Sequence, residues 1–368
     1  MGIAISLYDL AVASGNASLI STISSVALDQ FTRKRLLNAG EEVKDVRPGR
    51  MDFVEATRRE ISDTKRDGGI TAINIMCALA RYYEMSVKGA VEGGVDIIIT
   101  GAGMPIHFQE GEITNHSVDL PFLVEKYAGK NHNIKLVPIT SSRPIFEKIY
   151  RIWEREGHPP DAVAVEGPKA GGHIGWSYKR IERAGNDFLK KYDLFDVLLP
   201  EVLEAANKDG RNVPVIAAGG IYSHDDIVHA LDIGASAVQM GTRFAATHES
   251  GGSEGFKQAY VDAKESDVVI ATLEWGSPCN FPFRYLKDSS LAQEKIGNHF
   301  CICPGLFVAA GLNSDKKGNC PEGYVLTDKG PCLATGNSSY KGIYTCGTEV
   351  HRINEVVSVA ELVDELVG

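Results

Sequence analysis

The chain has 368 residues, 43% of them hydrophobic and 23% charged, which is enough for one barrel-sized core or two smaller ones. Its formal net charge of -10 argues against nucleic acid as a partner, because nucleic-acid binding needs a basic face. No apolar stretch reaches the roughly 18 residues that a membrane span requires, so we expect no membrane insertion.

The first residues, MGIAISLYDLAVASGN, have no basic leader ahead of an apolar core, so no secretory signal is expected. Cys77 lies in an apolar stretch and is predicted to be buried. The other cysteines are Cys279, Cys301, Cys303, Cys320, Cys332 and Cys346. Without a secretion signal we expect reduced thiols and a cytoplasmic location. The cysteine spacings fit no common ligand pattern, so no metal site is predicted.

Short apolar, β-branched runs predict strands at 19–26, 70–76, 95–101, 134–140, 162–167, 214–220 and 237–244. Amphipathic runs predict helices near 52–66, 78–92, 119–129, 143–156, 193–208 and 223–233. The strands are apolar throughout, which is typical of a parallel sheet covered by helices. We favour a TIM (β/α)8 barrel over a doubly wound sheet because the strands follow one another at similar spacing. One strand is missing from the eight, and residues 1–5 are expected to be the end of a truncated first strand.

The character of the chain changes near residue 271. The segment 297–348 is rich in Gly, Cys and Asn and has little periodicity, so we predict an irregular, Cys-rich cap. The proposed boundaries are a barrel at 1–270 and, at 271–368, the cap with a terminal helix packed on the barrel. Within VVSVAELVDELVG, Ser358 is expected to cap that helix, with Glu361 three residues on.

The stretch AVEGPKAGGHIGW, residues 164–176, ends a predicted strand at Glu166 and places His173 just beyond a pair of glycines. Loops at the carboxyl ends of parallel strands carry the sites of α/β proteins. A neutral imidazole titrates near physiological pH and can take or hold a proton, so His173 is the catalytic candidate. The alternative is a histidine that only closes a turn. His107, in GAGMPIHF, is a further candidate to line the pocket.

Two later strands end in small residues, at Gly219-Gly220 in PVIAAGGIYSHDD and at Gly241-Thr242 in AVQMGTRF. Adjacent strand ends with accessible backbone N–H groups form a phosphate cradle, which in barrels commonly follows strands seven and eight. The alternative is that these glycines only let strands turn into helices. Asp225 and Asp226 are predicted to be helix N-terminal charges. A P-loop or dinucleotide-binding fold is not favoured, because neither glycine fingerprint is present.

Together, AVEGPKAGGHIGW, PVIAAGGI and AVQMGTRF resemble the nitronate monooxygenase (2-nitropropane dioxygenase) family, in the same superfamily as flavin-dependent enoyl-ACP reductases. The resemblance runs from residue 1 to about 265 and includes the terminal helix. It implies a TIM barrel that binds FMN at its carboxyl-terminal face, with His173 facing the flavin ring and the substrate. The cofactor-binding positions implied are Met1, Gly2, Asn74, Glu166, Gly171, Gly172, Gly219, Gly220, Gln239, Met240, Gly241 and Thr242.

The chain departs from the family pattern at three places. Relatives typically begin with a strand ending in Gln-Gly-Gly-Met, and this chain starts at the Met, without two flavin-contacting glycines. Glu166 stands where many relatives have Gln. Lys169 replaces a common acidic residue, which changes the charge near the site.

The resemblance implies an oxidoreductase that acts on a small molecule, with oxidation of alkyl nitronates by O2 as the first hypothesis. The second is an FMN-dependent NAD(P)H oxidoreductase for an enoyl thioester or a quinone, with acyl carrier protein as a partner. The basic residues Arg33, Lys34 and Arg35 would then meet that carrier, although a solvated loop is the alternative for them. The third is a flavin-free barrel that serves as a docking subunit. A homodimer is left open.

Overall fold

The computed structural model describes residues 2, 5–46, 49–110, 113–270, 282–287 and 344–368. The strands in this part of the chain are β1 (Ser21–Ser24), β2 (Thr71–Met76), β3 (Ile97–Gly101), β4 (Phe108–Glu110), β5 (Ile113–Asn115), β6 (Lys135–Thr140), β7 (Val163–Glu166), β8 (Gly172–His173), β9 (Val215–Ala218), β10 (Ala237–Gln239), β11 (Val268–Ile270) and β12 (Phe283–Leu286). The α-helices are α1 (Tyr8–Asn16), α2 (Leu28–Asn38), α3 (Phe53–Gly68), α4 (Ala80–Glu92), α5 (Leu120–Ala128), α6 (Arg143–Arg155), α7 (Tyr178–Ala184), α8 (Phe188–Lys191), α9 (Leu199–Asn207), α10 (His224–Ile233), α11 (Thr242–Ala245), α12 (Glu254–Val261) and α13 (Val359–Val367).

The main sheet is parallel and has the order β1-β2-β3-β6-β7-β9-β10, so all seven predicted strands are confirmed. The order follows the chain from one edge to the other, whereas a doubly wound sheet reverses direction at a switch point. The α/β barrel prediction is therefore confirmed, as a sheet whose edges β1 and β10 are not joined by an eighth strand within the described ranges. Every helix described is too short or too polar to cross a lipid bilayer.

The two faces of the sheet carry different side chains. Outward-facing residues such as Ile73 and Val163 pack against the helices in two large apolar clusters. The inner face has a small cluster of its own, built from Ala72, Ile99, Val137 and Ala164. Because side chains alternate along a strand, residues two positions beyond an inward-facing residue also face inward. The inner face therefore continues past Ala72 and Ala164 to polar residues at the carboxyl ends of β2 and β7.

Local signals decide where the helices begin and end. Asp52 caps α3 by accepting a hydrogen bond from the backbone N–H of Glu55 at 3.0 Å. Ser358 and Glu361 form the predicted capping box at α13, with distances of 3.2 Å and 2.8 Å to each other's backbone N–H. The imidazole of His224, on α10, contacts the carbonyl oxygen of Leu366 at 2.9 Å, so the terminal helix lies against α10.

The described part of the cap shares an apolar cluster with the barrel. Cys346 and Val350 pack there with Phe256 and Tyr260 of α12, and Leu286 of β12 belongs to the same cluster. The proposed boundary at residue 270 stays a prediction. Cys77 is buried, as predicted. Five further cysteines of the predicted cap lie outside the described residues: Cys279, Cys301, Cys303, Cys320 and Cys332.

The basic stretch after β1 is not a solvated loop, because most of it forms α2. Each of its paired guanidinium groups meets a carboxylate of the same chain. The pairs are Arg33 with Asp45, Arg35 with Glu60 and Asp63, and Arg50 with Asp29. These charges are satisfied internally, and an acyl carrier protein partner stays a prediction.

Glu60 ties the first three helices together. Only 1% of this residue is exposed, and its carboxylate accepts hydrogen bonds from the backbone N–H of Tyr8 on α1 at 2.8 Å and the hydroxyl of Thr32 on α2 at 3.1 Å. The guanidinium of Arg35 donates to it at 3.2 Å. A buried charge is tolerated only when it is paired and hydrogen-bonded, and Glu60 meets both conditions.

We expect Glu60→Ala to lower the free energy of unfolding by about 3 kcal/mol, because it leaves three donors on α1 and α2 without their shared acceptor on α3. Urea unfolding followed by circular dichroism measures this loss. The matched control is Glu55→Ala on the same helix, which breaks an exposed 2.6 Å pair with Arg58 and should cost at most about 1 kcal/mol. Equal losses for the two variants would show that Glu60 has no special role.

Candidate active site

Three predicted site residues face inward from the main sheet. Glu166 of β7 and Gln239 of β10 both pair with Ala218 of β9, so they lie at one height on strands that flank β9. Asn74, on the far side of the sheet, pairs with Ile99 of β3 and also faces inward. Neighbouring strands lie about 4.8 Å apart, which places Glu166 and Gln239 roughly 10 Å from each other.

The predicted glycine loops follow two of these strands. Gly219 and Gly220 have φ angles of +86° and +98°, which L side chains rarely adopt. A Cβ added at Gly220 would lie 2.9 Å from the side chain of Lys169, so this loop packs directly against the loop after β7. Strand β9 ends at Ala218, earlier than the predicted run at 214–220, because backbone at these angles leaves the ladder.

Gly241 differs from the other described glycines. Its φ of -125° suits any residue, and an added Cβ would meet no atom of the described chain within 4 Å. Neither backbone strain nor a close contact within the described chain therefore explains a glycine at this position. Met240 and Thr242, on either side, are half-buried.

Asp226 uses two backbone N–H groups of the loop after β9. Its carboxylate accepts hydrogen bonds from Tyr222 and Ser223, both at 2.9 Å, in a capping box. Asp226 is thus a helix N-terminal charge, as predicted. An anion at this loop would have to use the backbone N–H groups that come earlier, at 219–221.

His173 is held in place by a strand that comes from a distant part of the sequence. It lies in β8, a two-residue strand that pairs antiparallel with β12, so that His173 stands opposite Phe283 and Gly172 opposite Arg284. The two aromatic rings have centroids 6.3 Å apart. The backbone N–H of Ile174 donates to the carbonyl oxygen of Pro282 at 2.8 Å. The imidazole therefore sits on a fixed support rather than at the tip of a loose turn.

Arg284 places a buried positive charge beneath this loop. Only 3% of the residue is exposed, and its guanidinium donates a hydrogen bond to the carbonyl oxygen of Ala170. Burial lowers the pKa of Arg284 to about 10, so the group remains charged at neutral pH. Cys346 is 1% exposed, and burial raises the pKa of its thiol to about 12, which keeps it neutral and unreactive.

Glu166 titrates in the physiological range. Burial raises the pKa of its carboxyl group to about 7, and the charge of Arg284 opposes part of that rise. When protonated, the carboxyl group offers one O–H donor and one carbonyl acceptor, as a glutamine amide offers donors and an acceptor. This explains how glutamate can stand where the family pattern often has Gln.

The C-terminal segment lies against both loops of the site. A Cβ added at Gly171 would lie 2.4 Å from the backbone of Cys346, so this glycine is required by the chain's own packing. The backbone N–H of Gly347 donates to the hydroxyl oxygen of Thr242 at 2.9 Å. The Thr242 O–H can still donate to a ligand, because a hydroxyl has one donor and two acceptor positions.

The remaining predicted residues fall in different places. Gly172 has a φ of +73° and open space around it. The carbonyl oxygen of Gly2 accepts the backbone N–H groups of Ile5 and Ser6 at 3.1 Å, and Met1 lies outside the described residues. His107 does not line this site, because its imidazole lies 2.5 Å from the carboxylate of Glu156, beyond the far end of α6.

Sequence reasoning missed Phe283, Arg284 and Cys346, which support the loop from the predicted cap. The run FPFRYL at 281–286 carried a signal, because short aromatic and β-branched runs favour strands. Which loop that strand would join could not be read from the run itself.

We expect Glu166→Gln to stabilise the chain more at high pH than at low pH. An unfolded glutamate titrates near about pH 4.3. The raised pKa in the folded state means that ionised Glu166 destabilises the fold progressively from about pH 4.3 and fully above about pH 7. Urea unfolding should show a gain from the substitution that is about 2.5 kcal/mol larger at pH 8 than at pH 5.

The control for this prediction is Glu201→Gln, at an exposed position in the first turn of α9. Its effect should be the same at both pH values to within about 0.5 kcal/mol. A pH-independent effect of Glu166→Gln would mean that this carboxyl group titrates normally.

Comparison with known proteins finds similar sequences. Two curated relatives, both described as probable nitronate monooxygenases, come from Staphylococcus saprophyticus and Staphylococcus aureus. The first is 29% identical over 194 residues, which are 53% of this chain and 48% of that protein. The second is 32% identical over 146 residues, 38% of this chain and 35% of that protein. The matches thus span about half the length of these relatives or less.

Two solved structures share the fold. FabK from Thermotoga maritima superimposes with a TM-score of 0.62 at 23% identity, covering 100% of this chain and 89% of that one. Nitroalkane oxidase from Streptomyces ansochromogenes gives a TM-score of 0.61 at 18% identity, covering 100% and 92%. The family model described as nitronate monooxygenase matches residues 65–368, which include both glycine loops, His173 and the terminal helix. The chain therefore belongs to the nitronate monooxygenase family.

Proposed function

We propose that this protein is an FMN-dependent oxidoreductase that oxidises alkyl nitronates with O2, with His173 as its acid–base residue. The observation that carries the proposal is Gly241, a glycine that the described chain requires neither for its φ angle nor for its packing. A phosphate group in that space would give a reason for the missing side chain, because the backbone could then approach it closely.

The residues at the carboxyl edge fit FMN. The loops at 219–221 and 241–242 offer backbone N–H groups to the phosphate, and the stem of Lys169 lies on Gly220, so that its ammonium group is available to a dianion. Asn74 and Glu166 face inward from β2 and β7, where they can hydrogen-bond to the edge of a planar ring. Glu166 can do so as donor or acceptor, according to its protonation.

FMN, when bound, supplies the acceptor for two electrons. The protein's part is to hold the substrate and to move a proton. A neutral imidazole at His173 can accept the α-proton of a nitroalkane, or donate a hydrogen bond to a nitronate oxygen once protonated. Phe283, opposite His173 in the β8–β12 pair, places an aromatic ring beside the imidazole, with the two centroids 6.3 Å apart.

The charge of the site favours an anionic substrate. Arg284 lies one residue from the partner of His173 and is buried, so its field is weakly screened. A nitronate is an anion and gains from this charge, whereas a neutral enoyl thioester gains less. This difference is why we place nitronate oxidation ahead of enoyl reduction. The cytoplasmic location stays a prediction.

We expect Gly241→Ala to weaken FMN binding by about 10- to 100-fold, because the methyl group would occupy space that the phosphate needs. Stability in the absence of FMN should change by less than about 0.5 kcal/mol, since no described atom lies near the added Cβ. Titration of FMN, followed by quenching of its fluorescence, gives the affinity, and urea unfolding gives the stability. If the affinity for FMN were unchanged, the proposal that the phosphate binds at this loop would be wrong.

The activity test uses the FMN-loaded protein with a primary nitronate in an oxygen electrode. His173→Ala should lower kcat/KM by about 100- to 10,000-fold, which is typical for loss of a general acid–base group. His229→Ala, at an exposed position on α10 where the ring contacts Phe195, is the matched control and should leave the rate unchanged.

If the FMN-loaded protein consumed no oxygen with nitronates, the proposal would be refuted. Rapid bleaching of the flavin by NADH or NADPH would favour the enoyl or quinone reductase instead. A pure protein that neither carries nor binds FMN would favour the docking subunit.

A further inference from the structure

A second group of titratable side chains lies apart from the candidate active site. The imidazole Nδ1 of His116 is 2.6 Å from Oδ2 of Asp119, and Nδ1 of His107 is 3.5 Å from the same oxygen. His107 Nδ1 also lies 2.5 Å from Oε1 of Glu156. Two imidazoles and two carboxylates thus meet at one point, which we call the histidine–carboxylate cluster.

The cluster lies at the opposite end of α6 from the carboxyl edge of the sheet. Glu156 is the C-cap residue of α6, and α6 begins at Arg143, just after β6 ends at Thr140. The 13 residues of α6 run back from that edge. At 1.5 Å per residue the helix is roughly 20 Å long, so Glu156 stands well away from His173 and the glycine loops.

Asp119 has an unusual environment for a helix N-cap. It is 0% exposed, and its side chain makes no capping hydrogen bond to α5. Its Oδ2 faces the two imidazoles, while its Oδ1 is buried and has no hydrogen-bond partner among the described residues. A buried carboxylate oxygen without a donor is costly, so this geometry requires compensation by something else.

Glu156 adds to the same requirement. Its Oε2 is also buried and lacks a hydrogen-bond partner within the described ranges. Glu156 Oε1 and Asp119 Oδ2 both approach His107 Nδ1, at 2.5 Å and 3.5 Å, so the two carboxylates share one imidazole nitrogen and lie close enough to repel each other when ionised. With both imidazoles neutral, the cluster carries two negative charges when ionised. A divalent cation would balance them and would also coordinate the oxygens that lack donors.

We propose that His107, His116, Asp119 and Glu156 form a binding site for a divalent transition-metal ion of the zinc class. Imidazole nitrogen and carboxylate oxygen are ligands that Zn²⁺ takes, with bonds of about 2.0–2.2 Å. The candidate ligand atoms of His107, His116 and Asp119 all lie within 4.8 Å of one another. Tetrahedral bonds of that length set ligand atoms about 3.3 Å apart, so small movements of side chains are sufficient.

Neighbouring groups hold two of the ligands in place, as the outer shell of a metal site does. The indole N–H of Trp153 donates to the carbonyl oxygen of Pro105 at 2.8 Å, which fixes the loop that carries His107. The ring of His116 stacks on Phe122 with centroids 4.2 Å apart. Both contacts restrict the imidazoles without occupying their Nδ1 atoms.

An ion can reach the cluster from solvent. An open cleft of about 390 Å³ borders it, and His116 is one of the lining residues. The others include Glu84 and Lys126, which form a 2.6 Å ion pair, and Phe122. An entry path of this kind is one of the conditions that a metal site must meet.

The spacing of these ligands explains why the sequence predicted no metal site. His107, His116 and Asp119 come from the β3–α5 connection, and Glu156 comes from the end of α6, 37 residues after Asp119. No recurring ligand motif has this spacing. Only the packing of α6 against that connection brings the fourth ligand to the other three.

The test uses the full-length protein, dialysed against EDTA and then titrated with Zn²⁺ in a calorimeter. We expect one equivalent to bind with a Kd below about 1 µM, and thermal unfolding to shift upward on addition of Zn²⁺. Co²⁺ in place of Zn²⁺ should give the visible absorption of a tetrahedral ion with nitrogen and oxygen ligands.

His116→Ala and Asp119→Asn should each weaken Zn²⁺ binding by at least about 100-fold, because losing a ligand costs more than the 10- to 100-fold typical of outer-shell partners. The matched control is His158→Ala. His158 pairs with one carboxylate, Glu125, at 3.2 Å, and its ring stacks on His132. The His158→Ala variant should bind Zn²⁺ with the same affinity as the parent protein.

Circular dichroism of each variant shows whether it is folded, and only folded variants are compared. Parent protein that binds no stoichiometric Zn²⁺, or that binds it no more tightly than folded His116→Ala, would overturn the proposal. The cluster would then be an ion-pair network of histidines and carboxylates. Loss of binding in His158→Ala alone would also overturn it, by placing the ion elsewhere.

Discussion

The hydrogen-bonded register of β7, β9 and β10 is the constraint on which the candidate active site depends. Glu166 and Gln239 share Ala218 as their partner, so both face the interior at one height. A slip of one residue in either strand would turn its polar side chain outward into the layer of helices. The same ladder positions the loops that follow these strands. Gly220 therefore lies against the side chain of Lys169, and Gly241, just after β10, has no described atom within 4 Å of an added Cβ.

Three carboxylates that are wholly or partly withdrawn from solvent have different partners in this fold, and each set of partners corresponds to a different role. Glu60 is satisfied by three donors and joins helices. Burial raises the pKa of Glu166 to about 7, so this side chain can change between hydrogen-bond donor and acceptor near neutral pH. Asp119 faces two imidazoles with one oxygen and no donor with the other, among the described residues. Burial alone therefore does not assign a role, and the partners decide it.

Much of the fold could be predicted because its signals are local. Seven strands, the helices between them and the capping box at Ser358 follow from apolar runs, periodicity and cap residues within a few positions of each other. The residues at the strand ends, including Glu166 and His173, could be named for the same reason. The support of His173 by Phe283 could not, because it is a pairing between segments 110 residues apart. The same holds for the ion pairs that make α2 a packed helix rather than a solvated loop.

The sequence by itself determined the alternation of strands and helices, the position of the glycine loops and the family pattern, since each is written in contiguous residues. Only the tertiary structure decided that Arg284 lies buried under the loop of His173 and that Glu156 joins two histidines and Asp119. It also decided that residue 171 must be a glycine, because the backbone of Cys346 packs against it. The physical reason is the range of the forces involved. Backbone preference and periodicity act over a few residues, whereas burial and electrostatic pairing depend on which distant segments come to share a site.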